Sequence, residues 1–310
     1  MHELKEHVFR EARDAMTAIR QYEERLNRIA YEQRRLNQEP SDQDQPVEAF
    51  TLRPVTITSD PLVLLGGMGP LAGAEGFAQG CLSYPQGKEI VLFQACSTPN
   101  RSVAIESIIG ERDCAAEKRA EILRSLSASI VEAVAHVQSS ERMIDLIVLC
   151  NASHYFLDDV LERLRNSYQD IGSRLRFISL IESTIAAIEA SGFKRIMALY
   201  TEGTKRSRIY SLALEKLGIR CIEREDLQPL LTSSIYHGVK AFDDVLTVQL
   251  GTQLFREIVK SEQEFDCILM GCTEVPLIVE KLRTGGHEDI KSFLSRVAVL
   301  DPVAAALASI

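Results

Sequence analysis

Apolar residues in the first forty positions recur every seven: Val8, Ala15, Tyr22, Ile29 and Leu36, with Ala12, Ile19 and Leu26 at the intervening position. Arg and Glu fill the other faces. The spacing predicts an amphipathic helical extension over 1–40, roughly 54 Å long for 36 helical residues. Such a helix either folds back on its own body or joins another as a coiled coil, and alanines in the seam weaken the second choice. Residues 41–60, with Ser, Asp, Gln and Pro, read as an extended linker.

From residue 61 the pattern changes to short apolar runs, small-residue turns and helical stretches in alternation. Runs at 62–65, 90–93, 146–149, 177–180, 196–200, 267–270 and 297–300 are branched and do not alternate with polar residues. Strands buried on both faces have this composition, which predicts a mainly parallel sheet. Helical periodicity occupies 117–137, 157–168, 183–191, 205–217, 239–259 and 276–284. The fold class is therefore α/β. An internal echo refines it: Asp145-Leu-Ile-Val-Leu-Cys150 resembles Asp266-Cys-Ile-Leu-Met-Gly-Cys272. Each has an acidic residue, an apolar strand and a cysteine at the strand exit, as expected of two similar lobes presenting one thiol each.

Both thiols fall at the carboxyl end of a strand, where open α/β sheets gather their ligands. A helix follows each, with Pro276 in the first turn of the second, and helix N-termini favour thiolates and carboxylates. Cys81, Cys96, Cys114, Cys221 and Cys267 lack that context and read as structural. His154, four residues after Cys150, is either a general base for the thiol or a hydrogen-bonded support for the turn. Gly66-Gly67-Met68-Gly69-Pro70-Leu71-Ala72 formally fits a dinucleotide fingerprint. The acidic residue expected at the end of the next strand is missing, since Val91-Leu-Phe-Gln94 offers only an amide. A turn that lets a small ligand approach the sheet edge is the better reading.

Composition narrows the classes. In 310 residues with a formal charge of −9, no basic stripe offers a nucleic-acid surface. No apolar run is long enough to span a membrane, and the charged N-terminus is unlike a secretory signal. Seven scattered cysteines read as reduced thiols in a cytoplasm. No cluster has metal-ligand spacing.

With these residues in hand, the chain from about Leu62 to Ala308 resembles the aspartate/glutamate racemases that work without pyridoxal phosphate. The markers are Gly66-Gly-Met-Gly-Pro70, Cys150-Asn151-x-x-His154, Gly203-Thr204-x-x-Ser207-x-x-Tyr210, Tyr236-x-x-Val-Lys240, Gly271-Cys-Thr-Glu274 and Leu300-Asp-Pro302. The resemblance implies one lobe over 61–180 plus 300–310 and a second over 181–299. It also implies no cofactor, a small amino-acid substrate between the lobes, and a homodimer to which the N-terminal helix could contribute. Cys150 and Cys272 take the catalytic places, one on each face of the substrate α-carbon. Met68, Arg101, Asn151, Thr204, Lys240 and Thr273 become substrate-binding residues, with Gly67, His154 and Glu274 in support. Arg101 and Lys240 suit a side-chain carboxylate. One departure stands out: Ala152 replaces the family's usual threonine, and a donor lost at a carboxylate costs about 1.5–3 kcal/mol unless replaced. Two other readings stay open, a single-thiol lyase, isomerase or hydrolase and a non-catalytic binding or effector protein on the same scaffold.

Overall fold

The computed structural model describes residues 4–40, 45–138, 141–260 and 264–310. The first sheet comprises β1 (Lys5–Phe9), β2 (Glu48–Leu52), β3 (Leu62–Gly66), β4 (Ile90–Gln94), β5 (Ile144–Val148) and β6 (Leu175–Phe177), in the order β1-β2-β4-β3-β5-β6. The second comprises β7 (Arg195–Ala198), β8 (Arg220–Ile222), β9 (Cys267–Leu269) and β10 (Ala298–Leu300), in the order β10-β9-β7-β8. Every pairing is parallel except β2 with β4. Counted from β3 and from β7, both sheets run second-first-third-fourth. The sequence echo lies on the third strand of each, β5 and β9, beside the point where strand order reverses and crevices open.

Residues 4–40 differ from the single heptad helix expected over 1–40, whose first three residues lie outside the described ones. Lys5–Phe9 pairs with β2 as the edge strand, and the helix α1 runs over Ala12–Arg35. Its buried face is Ala15, Ile19, Tyr22, Leu26 and Ala30, so the stripe drifts off the heptad after Leu26. A helix lying on a globular body keeps about 3.6 residues per turn, whereas a strict seven-residue seam needs a supercoiled partner. Ile29 and Leu36 are accordingly left outside, Leu36 at 69% exposure. Tyr22 packs edge-on to Phe50 of β2 at 5.1 Å, and Phe50 meets Phe77 at 6.4 Å. Phe77 belongs to α2 (Pro70–Ser83), so the helix folds back on its own chain.

The span read as linker holds β2, with all five residues buried. Glu48 obscures it in the sequence; its carboxylate lies inside because Arg25 of α1 donates to it at 2.5 Å, with His7 at 3.1 Å. A buried charge is tolerable when paired in this way. Three further boundaries moved. The run at 177–180 ends as a strand at Phe177, and Leu180 opens a helix (Leu180–Ser191) capped by the Ser179 hydroxyl. The helix at 205–217 is two, Glu202–Ser207 and Ser211–Lys216, broken where Arg208 takes a φ of 57°. The helix at 239–259 begins at Asp244, after a π-helical turn over Ser234–Val239.

The sheets are joined by helices. The closing helix Pro302–Ala308 packs on both α2 and Leu180–Ser191. On the side of the strand exits, α3 (Arg101–Ile109) packs on Glu202–Ser207. The backbones approach so closely that a Cβ at Gly203 would lie 2.5 Å from Ser102 Cα. Among the described residues no helix is long and apolar enough to cross a membrane.

Candidate active site at the paired strand exits

The exits of β3, β5, β7 and β9 face one cleft, lined by Met68, Arg101, Cys150, Asn151, Thr204, Lys240, Cys272, Thr273 and Glu274. These include both expected thiols and all six expected substrate-binding residues. The cavity is nearly shut, at about 20 Å³, room for one water. Gly67 stands behind the wall: its φ of 87° and a Cβ position 2.3 Å from Ala95 N leave space for glycine alone. Gly69 makes a second close approach, for a Cβ there would lie 2.0 Å from Glu274 Oε1. The glycine turn therefore admits a carboxylate to the sheet edge.

That carboxylate organises one side of the cleft. Cys272 Sγ donates to Glu274 Oε2 at 2.8 Å, and the Thr273 hydroxyl donates to the same oxygen at 3.4 Å. Lys240 Nζ lies 3.3 Å from Glu274 Oε1 and donates to the Met68 carbonyl at 2.5 Å. Burial pushes the Cys272 thiol well above the usual thiol range, and the Glu274 charge and hydrogen bond add to the rise, while Lys240 opposes it. Cys272 is thus held as a protonated thiol.

Across the cleft, Cys150 follows β5 and opens the helical turn Asn151–Tyr155. Asn151 is buried; the Tyr210 hydroxyl donates to its Oδ1 at 2.5 Å, and Nδ2 has no acceptor among the described residues. A buried amide donor in a cleft wall calls for an acceptor from a ligand. Burial also raises the Tyr210 pKa, which keeps that hydroxyl a donor.

Arg101 lines the cleft, yet its guanidinium donates to the carbonyls of Thr98, Pro99 and Met68 at 3.0, 2.8 and 2.9 Å. It holds the glycine turn against the loop after β4, and it meets Lys240 at the Met68 carbonyl. Of the two readings of His154, the hydrogen-bonded support is the one found. Nδ1 lies 3.0 Å from the Cys150 carbonyl, and Nε2 accepts the Leu180 N–H at 3.0 Å. Burial lowers its pKa to about 4, so the ring is neutral near pH 7 with both nitrogens engaged. It ties the Cys150 turn to the helix at Leu180.

Sequence reasoning missed four lining residues, Asn100, Ser102, Thr201 and Tyr236. Ser102 donates to Thr201 Oγ1 at 3.2 Å, and Thr201 Oγ1 lies 3.2 Å from Thr204 Oγ1, a hydroxyl chain crossing between the lobes. Asn100 and Thr201 cap the helices that follow them, and this N-cap pattern was the available signal. Ala152 presents a bare methyl, and Ser153 does not replace the lost hydroxyl there because it donates to Met68 Sδ. The five other cysteines lie outside this lining, and no described group of three or more His, Cys, Asp or Glu could hold a metal ion.

A family model described as Asp/Glu/Hydantoin racemase matches residues 65–310. The chain belongs to this racemase family. A glutamate racemase from Koribacter versatilis is 30% identical over 147 residues, which is 47% of this chain and 46% of that protein. The match thus spans about half the length of that relative. In solved structures, an aspartate racemase from Picrophilus torridus superposes with a TM-score of 0.56 at 20% identity, covering 81% of this chain and 94% of the other. An aspartate racemase homologue from Pyrococcus horikoshii gives 0.52 at 16%, covering 81% and 97%. Similarity at that level shows that the racemase fold is shared. Residues before 65, including β1, α1 and β2, precede the matched region.

Proposed function

We propose that this protein racemises an acidic amino acid, aspartate or glutamate, by proton transfer between Cys150 and Cys272 without a cofactor. The observation that carries the reading is that each thiol leaves the third strand of its own sheet and both line one cleft.

Inverting a stereocentre in place needs a base on one face and an acid on the other. In the hydrogen-bonded state described, Cys272 holds its proton and is the acid. Cys150, as thiolate, takes the α-proton; the C–H electron pair passes into the α-carboxylate as an enediolate. Cys272 then delivers its proton to the opposite face, so the thiol and thiolate have changed places and no proton is gained or lost. The α-proton is a very weak acid, and the developing charge needs fixed donors in a dry site. Asn151 Nδ2 is such a donor at the α-carboxylate, and the Thr273 hydroxyl becomes one by turning its proton away from Glu274. Lys240 suits the side-chain carboxylate by exchanging its contact with the Met68 carbonyl, and Arg101 supplies the second positive charge at that point. The Ser102–Thr201–Thr204 hydroxyls offer the donor that Ala152 lacks.

The reading requires reduced thiols, as in a cytoplasm. A homodimer belongs to it as well, formed on surfaces other than the inner stripe of α1, which the body already covers. The test is incubation of L- and D-aspartate and L- and D-glutamate in deuterated water. Racemisation of at least one pair with α-deuterium incorporation is expected, slowed by more than about a hundredfold in Cys150→Ser and in Cys272→Ser. No exchange with any of the four defeats the reading. Near-normal activity in Cys150→Ser would favour a single-thiol enzyme, and tight binding without exchange a binding protein.

A further inference from the structure

We infer that Arg34, on the N-terminal helix outside the matched racemase region, is a positioning residue that sets the Tyr236–Lys240 turn as the gate of the cleft. The inference rests on the racemase reading only for the identity of what passes through.

The gate is defined by two cavities that share a wall. The inner cleft holds about 20 Å³, whereas an outer cavity holds about 550 Å³, and among the described residues only Tyr236 and Lys240 line both. Lys240 Nζ lies over the Tyr236 ring at 5.7 Å, so the two side chains form one unit a helical turn apart. Across the cleft, the Lys240 ammonium donates to Met68 and pairs with Glu274. An amino acid cannot reach the thiols from the outer cavity until this unit swings away.

The far wall of the outer cavity is the C-terminal end of the extension: Arg34, Gln38, Glu39 and Pro40. Arg34 Nη1 donates to the Ala241 carbonyl at 2.7 Å and Nη2 to the Phe242 carbonyl at 3.2 Å. These carbonyls directly follow Lys240, at the end of the π-helical turn, where a cation also meets the negative end of the helical dipoles. The backbone needs that anchor because Phe242 sits at a φ of 56°, a costly conformation for a residue with a side chain. On its other side the turn is seated against the helix Asp244–Lys260, where a Cβ at Gly238 would lie 2.8 Å from Thr247 Oγ1. The turn is thus clamped between that helix and Arg34. Of the two, only the arginine comes from outside the racemase lobes. The guanidinium fork fits two successive carbonyls, which a lysine ammonium cannot grip together.

The experiment compares wild type, Arg34→Met and Arg34→Lys by iodoacetamide alkylation of Cys150 and Cys272, followed by mass spectrometry, alongside steady-state kinetics. Arg34→Met is expected to accelerate alkylation of both thiols at least roughly tenfold, as loss of both charge-assisted hydrogen bonds to the turn implies. It should raise KM by a similar factor with kcat little changed, because the reacting groups are intact. Arg34→Lys, whose ammonium can hold only one of the two carbonyls, should give an intermediate alkylation rate, several-fold above wild type. A folded Arg34→Met with wild-type alkylation overturns the inference. Should that variant not fold, Arg34→Lys decides: alkylation faster than wild type supports the gate, and an unchanged rate overturns it. Alkylation reads gating even if none of the four amino acids is racemised, so failure of the racemase reading stays distinguishable.

Discussion

Glu274 has one carboxylate oxygen on the Cys272 thiol and the other beside the Lys240 ammonium. A carboxylate next to a thiol disfavours the thiolate, so removing its charge lowers the thiol pKa; Lys240, left in place, acts in the same direction. In Glu274→Gln the pH profile of Cys272 alkylation should therefore move to lower pH. A profile that stays in place would show that burial alone holds the proton, and an upward move would show that Glu274 on balance favours the thiolate. The placement of the thiol was legible in the sequence, because a strand, its exit and the next turn are consecutive. Glu274, two residues on, was legible as a support, but the Lys240 ammonium that meets it was not: Lys240 is held at the Met68 carbonyl, 172 positions away in the chain. Arg101 makes the same point. Its residue type suggested a carboxylate clamp, yet three backbone carbonyls lie within its reach, and an arginine fork donates to either.

Helices and strands that bury a face on a neighbour close in sequence were the easiest to read. The strands β3, β4 and β5 are buried along their whole length and carry unbroken apolar runs. Strands β1 and β2 escaped notice because an edge strand can be polar, and because Glu48 is neutralised by residues from other elements. In α1 the periodicity was clear, but whether it served a partner chain or its own body depended on what lay opposite. Leu26 is buried there in the same apolar core as Phe50, Phe77 and Leu52. Leu26→Ala should destabilise the protein by about 2–5 kcal/mol in urea unfolding, as a cavity in a packed core does. A change below about 0.5 kcal/mol would mean that α1 is only loosely laid on the first sheet.

At the strand exits the two lobes meet backbone to backbone. Gly203 touches Ser102 where the cleft closes, and the hydroxyl chain Ser102–Thr201–Thr204 runs through the same contact. Gly203→Ala puts a methyl 2.5 Å from a backbone carbon, so the lobes must part. We expect deuterium exchange to fall by more than about tenfold and stability to fall by roughly 1–3 kcal/mol. Gly285→Ala, where no atom lies within 4 Å of the new Cβ, is the control and should leave both near wild type. Wild-type exchange in Gly203→Ala would show that the lobes work without this close contact.

The sequence by itself determined the α/β class, the twofold echo and the two thiols at strand exits, since each depends on residues adjacent along the chain. Tertiary structure alone decided which face of α1 is buried, that Lys240 joins Glu274 beside the Cys272 thiol, that His154 is a tie to Leu180, and that Arg34 reaches the turn behind Lys240. Those outcomes come from charges and carbonyls brought together from distant segments. Their energies depend on burial and on the direction of approach, and neither quantity exists before the chain has folded.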